Sequence, residues 1–286
     1  MQSPVRPKCT LYVDAHVHVR DQRGFEMAIA AGVAAFRDAG LSGNAETGIL
    51  RPKDSQGPAM IASGWALYRQ GGYGSRLGRP VLTRAEIKSE ILGLKRAGAD
   101  IIKVIASGLV NLGEPGTITP GGFSQDDLTC IVEEAGRLGL GVMAHANGED
   151  AIIAAAQAGV ISLEHGFFMT ERALDHLAEK RVYWTPTAGA LVRAAASMGK
   201  SRETEDFVAR LITAHLAMVN KAFVRDISLA VGTDYALPGP DYKAAYVAEL
   251  VYFEQAGISN NDVLRIACEG GAKLLGMSVG KSDGIT

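Results

Sequence analysis

Short β-type runs alternate with longer helical ones along the chain, and this alternation constrains the fold more than any other feature of the sequence. The runs are Leu11–His18, Val33–Asp38, Pro58–Leu67, Ile101–Ile105, Leu140–His145, Val160–His165, Val182–Pro186 and Ile227–Asp234. Helical stretches lie between several of them, at Gly24–Ala31, Thr83–Ala97, Ser124–Leu138, Glu149–Ala158 and about Arg202–Val224. Two more, about Tyr242–Ala256 and Ser259–Leu275, follow the last run. The clearest is the one that Thr83 caps: Glu86 sits three residues on, and Ile87, Ile91 and Leu94 form an apolar stripe. Strands joined by crossover segments pair in parallel, and eight of them close into a (β/α)8 TIM barrel, an α/β fold. An open doubly wound sheet is the rival, but no Gly-x-Gly-x-x-Gly follows the first run.

At 286 residues the chain fits one large domain, 1–286, better than two ordinary ones. Apolar residues make up 47%, charged residues 21%, and the net charge is −2, the balance of a soluble globular protein with no pull toward nucleic acid or an anionic membrane. Met1 to Lys8 lacks the apolar core of a signal peptide, and no apolar run approaches a membrane span. Cys9, Cys130 and Cys268 are odd in number and far apart, which argues against a disulfide framework and for a cytoplasmic protein.

The first run carries an Asp-x-His-x-His cluster. Strand alternation puts Asp14, His16 and His18 on one face and Val13, Ala15 and Val17 on the other. Two imidazoles on one face of a rigid strand can hold a Zn, Mn, Fe or Ni ion, and a pair of core histidines satisfied by carbonyls is the alternative. Other polar residues fall at strand ends too: Lys103 in the fourth run, His145 ending the fifth, His165 the sixth and Asp234 the eighth. A TIM barrel builds its active site at those C-terminal ends. His176 and His215 fall elsewhere.

The stretches Asp14-Ala-His-Val-His18, Phe36-Arg-Asp-Ala-Gly40, Ile102-Lys-Val-Ile-Ala-Ser-Gly108, Val142-Met-Ala-His-Ala146, Leu163-Glu-His-Gly166 and Val231-Gly-Thr-Asp234 resemble the motif series of the amidohydrolase superfamily. The match is best to its imidazolonepropionase-like and prolidase-like members and runs in order from about residue 10 to about residue 280. The resemblance implies that His16, His18, His145, His165 and Asp234 ligate one or two divalent ions, zinc first, with Lys103 as a carboxylated bridging residue. It implies Asp234 and His165 as catalytic residues, and Arg37 and Asp38 in positioning roles. The chemistry agrees: a bound ion lowers the pKa of water from 15.7 to about 7, and a carboxylate beside it can take up the proton and pass it to a leaving nitrogen. Lys103 shares a face with Ile101 and Ile105, and burial favours the neutral amine that reacts with carbon dioxide. An uncarboxylated lysine paired with a carboxylate is the other reading.

Two departures from the family pattern bear on substrate and architecture. Gly71-Gly-Tyr-Gly74 stands where prolidase-like relatives carry Gly-Gly-His-Gly, so Tyr73 argues against dipeptide specificity. About ten residues precede the first run and the chain stops at Gly280–Thr286, so the usual β-sandwich is expected to be largely or wholly absent. Tyr73 and Tyr235 are the expected substrate contacts, with Tyr183 and Thr185 to Thr187 as further lining. The expected function is hydrolysis of an amide C–N bond in a small cyclic amide or a dipeptide. Deamination of a nucleobase-like substrate is the second reading, although Gly148 occupies the position where such relatives place a glutamate, with Glu149 one step beyond. A non-catalytic metal-binding barrel is the third. The expected partner is a small-molecule substrate, with self-association left open.

Overall fold

The computed structural model describes residues 12–53, 57–199 and 201–277. The expectations for Leu11, for Cys9 and for both chain ends fall outside those ranges. In chain order the elements are β1 (Tyr12–Val19), α1 (Gln22–Ala30), β2 (Val33–Asp38), α2 (Asn44–Thr47), β3 (Ala59–Ala62), β4 (Ala66–Arg69), β5 (Gly78–Val81), α3 (Arg84–Arg96), β6 (Ile101–Ile105), α4 (Gln125–Arg137) and β7 (Gly141–Ala146). After these come α5 (Glu149–Ala158), β8 (Ser162–His165), α6 (Glu171–Lys180), β9 (Tyr183–Thr185), α7 (Ala188–Ser197), α8 (Arg202–Val224), β10 (Tyr235–Leu237), α9 (Tyr242–Gln255) and α10 (Asn260–Arg265). A π-helical turn (Ile266–Gly270) runs from α10 into α11 (Gly271–Leu274).

Every named strand pair is parallel, as crossover connections require. One sheet runs β10-β1-β2-β3 and the other β5-β4-β6-β7-β8-β9. The sheets meet in two places. The expected third strand is one bent stretch: β3 pairs with β2, the chain kinks at Gly64 (φ 76°), and β4 pairs with β6. The expected eighth strand is not regular, yet it bridges its neighbours. Trp184 N–H donates to the Ser228 carbonyl and Ala230 N–H to that of Trp184, while Ala15 N–H donates to the Val231 carbonyl and Asp234 N–H to that of His16. These bonds close the ring of a (β/α)8 barrel between the seventh strand and the first.

Local signals explain the helices. Thr83 and Glu86 form the capping box foreseen for α3, a feature worth about 1 kcal/mol, and Ser124 caps α4 by accepting from Asp127 N–H. Helices α6 and α7 were not foreseen. The long helix α8 passes as a membrane span by length and composition, which corrects the reading that no run approaches one; here it buries Phe207, Leu211, Leu216 and Val219 in the helical layer. Cys130 is a buried free thiol, whereas Cys268 is disulfide-bonded.

Candidate metal centre

The six residues singled out at strand ends all line one cavity of about 440 Å³: His16 and His18 on β1, Lys103 on β6, His145 on β7, His165 on β8, and Asp234 just before β10. Asp14 does not join them. On β1, Asp14 pairs with Phe36 and Val17 with Asp38, so three residues advance on β1 for two on β2. That bulge breaks the period of two and turns Asp14 out of the histidine face. Its carboxylate instead accepts from Thr233 N–H (3.0 Å), Thr233 Oγ1 (2.7 Å) and Tyr242 O–H (3.1 Å), and burial pushes it up to about 6. It ties β1 to the turn that carries Asp234.

Both β1 histidines have one ring nitrogen already committed. His18 Nδ1 donates to the Gly40 carbonyl at 2.7 Å, and His16 Nδ1 to Glu164 Oε2 at 2.8 Å. Each therefore turns its Nε2 toward Asp234 Oδ1, at 3.1 Å for His18 and 3.4 Å for His16. The three groups lie within 4.8 Å of one another. A lone pair on each Nε2 facing a carboxylate oxygen needs positive charge between them, either a proton on an imidazole or a cation. Burial lowers His16 to about 4, so it stays neutral, whereas for His18 the contact with Asp234 outweighs burial and raises it. Burial alone would raise Asp234, but His16, His18 and His165 hold it well below the usual carboxylate range.

Glu164 is the site residue the sequence reading passed over. Fully buried, it holds His16 on one side and on the other accepts from Arg37 Nη2 at 2.7 Å and from Ser162 Oγ. Arg37 also donates to Ser162 Oγ (2.7 Å) and to the Ala15 carbonyl (2.8 Å). This Arg37–Glu164–His16 chain gives Arg37 the positioning role expected of it. Desolvation opposes ionisation of Glu164, yet Arg37 and His16 keep it strongly acidic. The only signal in the sequence was its place on the inward face of a strand, two residues after Ser162. Asp38 accepts from Val19 and Gly40 N–H and so sets the turn whose carbonyl receives His18.

The other ligand-type residues are gathered less tightly. The His145 and His165 rings lie 4.6 Å apart, and that of His165 is 5.2 Å from His16. His145 Nε2 faces the Gly108 carbonyl at 3.0 Å, and His165 Nδ1 the Thr187 hydroxyl at 2.7 Å. Lys103 is buried with no hydrogen bond to its Nζ, and desolvation lowers it to about 8. Its neighbours in register, Ala66 and Met143, offer it nothing polar.

His165 (φ 68°), Thr187 (φ 47°) and Asp234 (φ 51°) all hold left-handed backbone, which costs a non-glycine residue on the order of 1–3 kcal/mol. Trp184 Nε1 pins the His165 carbonyl at 2.8 Å, and Arg193 Nη2 donates to the Thr233 carbonyl. Gly232 permits the close approach at Asp234: a Cβ there would stand 2.9 Å from that of His16 and collide with the Thr185 methyl.

Tyr73 lines the cavity, its ring 5.6 Å from His145, and burial raises its hydroxyl to about 12. Tyr235 does not line it; its ring packs against the Arg193 guanidinium and its hydroxyl accepts from Asp241 N–H. Tyr183 sits in the lower core with Val13 and Ala230. Glu149 bonds to Thr170 and Arg172 and is not among the residues that line the cavity. His215 is a core residue packed between Phe167 and Trp184, and His176 sits on α6 near Glu179.

The donor set suits a metal ion. His16 Nε2 and Lys103 Nζ are buried and make no hydrogen bond, and both line the cavity with three further imidazoles and an ionised carboxylate.

The model of the amidohydrolase family matches residues 12–282. An ochratoxinase from Aspergillus niger is 35% identical over 147 residues, 51% of this chain and 30% of the relative, so the matched segment spans less than a third of the relative's length. Among solved structures, A. niger ochratoxinase superposes with a TM-score of 0.74 at 24% identity, over 92% of this chain and 71% of that one. A Xaa-Pro dipeptidase with methionine bound in its active site gives 0.73 at 22%, over 93% and 75%. At these identities the likeness is one of fold.

Proposed function

The chain belongs to the amidohydrolase family, hydrolases of carbon–nitrogen bonds, and on that premise we propose that it is metal-dependent and cleaves an amide bond in a small-molecule substrate. The convergence of His16 Nε2, His18 Nε2 and Asp234 Oδ1 within 4.8 Å, with both histidine Nδ1 atoms already committed, carries this reading. These three residues would hold one zinc ion and His145 and His165 a second, with Lys103, as its carbamate, the residue shared by both. A bound divalent ion polarises the scissile carbonyl and acidifies water.

The residues of the chain do the rest. Asp234 keeps a quarter of its side chain open to the cavity and stays ionised, so it can take a proton from the attacking water at a carboxylate oxygen and hand it to the leaving nitrogen. His165, fixed by Thr187 and Trp184, presents its ring beside that carboxylate, Nδ1 at 4.0 Å. Lys103, lowered to about 8, is free amine to the extent of roughly a tenth at pH 7, available for carboxylation.

Asp234→Asn tests the proposal. The amide keeps a coordinating oxygen but cannot take a proton, so zinc content should change little while amide turnover falls by ~10²-fold or more. Turnover at the wild-type rate would remove Asp234 from the proton path.

A further inference from the structure

The cavity around the proposed metal centre has a character that says what kind of amide fits. Among the described residues that line it, the only ionic side chains apart from the histidines are Lys103 and Asp234, and both belong to the ligand set. The remaining walls are mostly apolar. Leu109, Val110 and Leu112 come from the loop after β6, a short hairpin closed by an antiparallel bridge between Val110 and Ile118. Leu191, Ala194 and Met198 come from α7 and the residue after it.

Polar side chains in the lining are mostly spent locally. Thr119 Oγ1 accepts from Leu109 N–H, Asn111 Oδ1 from Gly113 N–H, and Asn147 holds Phe167 N–H and the Gly108 carbonyl. The two guanidinium groups close by do not line the cavity. Arg193 is committed to the Thr233 carbonyl and the Tyr235 ring, and Arg76 is exposed. At the rim, Leu109 is 39% and Met198 68% exposed, apolar surface that an apolar ligand would cover.

We propose that this site selects uncharged amides with an apolar group on at least one side of the scissile bond, and rejects substrates bearing a free carboxylate such as dipeptides. This rests on the reading of the site as an amide hydrolase. A carboxylate inside these walls would lose its hydration and find no counter-charge outside the ligand set, whereas an alkyl or aryl group would leave water for Leu, Val and Met side chains. Tyr73 fits the same picture, since its ring gives the cavity an aromatic wall beside His145.

The test uses hexananilide and succinanilic acid, two anilides of similar length that differ in a terminal carboxylate. Binding of each to the full chain is measured by calorimetry after zinc removal, so that a carboxylate cannot score by ligating metal, and aniline release is then measured with zinc restored. Hexananilide should bind at least about 50-fold more tightly. In Leu109→Lys and Met198→Lys, where the new charge lies at an exposed position the fold tolerates, that ratio should shrink by about 10-fold. Equal or tighter binding of succinanilic acid, no binding of hexananilide, or a ratio unchanged in both lysine variants would each overturn the proposal. Hexananilide that binds as expected but is not hydrolysed by the zinc-loaded protein would support the selectivity and overturn the hydrolase reading, so the two failures are separable.

Discussion

Two groups of ligand-type side chains share the cavity, and the molecule holds them in different ways. His16, His18 and Asp234 converge within 4.8 Å, and each imidazole is oriented from behind, His16 by Glu164 and His18 by the Gly40 carbonyl. Lys103, His145 and His165 face the same space, but Lys103 Nζ has no hydrogen bond and His145 Nε2 is directed at the Gly108 carbonyl. The first group is preorganised by strand geometry and buried hydrogen bonds, the arrangement that keeps metal ligands basic and correctly turned. The second lacks an anion. Only an added group on Lys103 would supply one, so the first group should bind metal on its own and the second only once Lys103 is modified.

The sharpest way to break that comparison is to remove the preorganised half. In His16→Ala combined with His18→Ala, metal binding at the first site should disappear, and amide hydrolysis with it; elemental analysis showing full occupancy would sink the assignment. Lys103→Ala attacks the other half. The proposed binuclear protein holds about two ions per chain, and this variant should fall toward one while the first site keeps its affinity. One ion in both wild type and variant would end the binuclear reading and leave Lys103 an ordinary buried amine.

Glu164→Gln sharpens the contrast within the first half. The amide can no longer accept as a carboxylate from His16 Nδ1, and Arg37 loses its buried counter-ion. Replacing such a partner behind a ligand should weaken first-site zinc binding by about 10–100-fold, and the unpaired Arg37 should lower stability as well. Glu164 makes no hydrogen bond to the second group and reaches it only as a charge that favours the Lys103 ammonium, so affinity there should change less than at the first site. Equal losses at both sites would mean that Glu164 supports the barrel and not the ligand.

How much of this was legible in the sequence follows from the range of the interactions. The strand-end positions of His16, His18, Lys103, His145, His165 and Asp234 could be read because local alternation and barrel topology together put them in one place. Asp14 was misplaced because a bulge depends on the partner strand, which the sequence of β1 does not reveal. Glu164 was passed over because its partners, Arg37 and His16, lie 127 and 148 residues away in the chain. The eighth strand was legible as a segment but not as an irregular one, since its path is set by the Gly232 contact with His16 and by left-handed backbone at Asp234. Helix α7 begins after Pro186 with Thr187 in a conformation that β-branched residues rarely take, so no ordinary cap marks its start.

That missing cap comes from elsewhere, and it supplies the smallest expected effect. Glu249 on α9 is buried and accepts from Gly189 N–H at the start of α7, at 2.8 Å. Helix α7 in turn carries Arg193, which donates to the Thr233 carbonyl next to Asp234. Asp234 is thus steadied through the outer helices, whereas His16 is steadied within the barrel. Burial raises Glu249 to about 8; nearby Asp14 adds to this, and Arg193 and the Gly189 and Ala188 N–H groups oppose it. Its folded value lies above the ordinary 4.5, so between about pH 4.5 and about pH 8 the folded chain holds a proton that the unfolded chain has released. Stability from this group is therefore full below that window and is lost as pH rises through it. Glu249→Gln copies the neutral form and keeps an acceptor for Gly189 N–H. The variant should match wild type near pH 4 and exceed it near pH 8 by a few kcal/mol at most, at about 1.4 kcal/mol for each tenfold change in proton affinity. Turnover should change less than about 3-fold, because the cap survives and Asp234 stays in place. Chemical denaturation of both proteins from pH 4 to pH 8 reads the first expectation. Parallel stability profiles would show that Glu249 is ionised in the folded protein, and a large loss of turnover would show that Asp234 depends on the charge of Glu249 and not only on the cap.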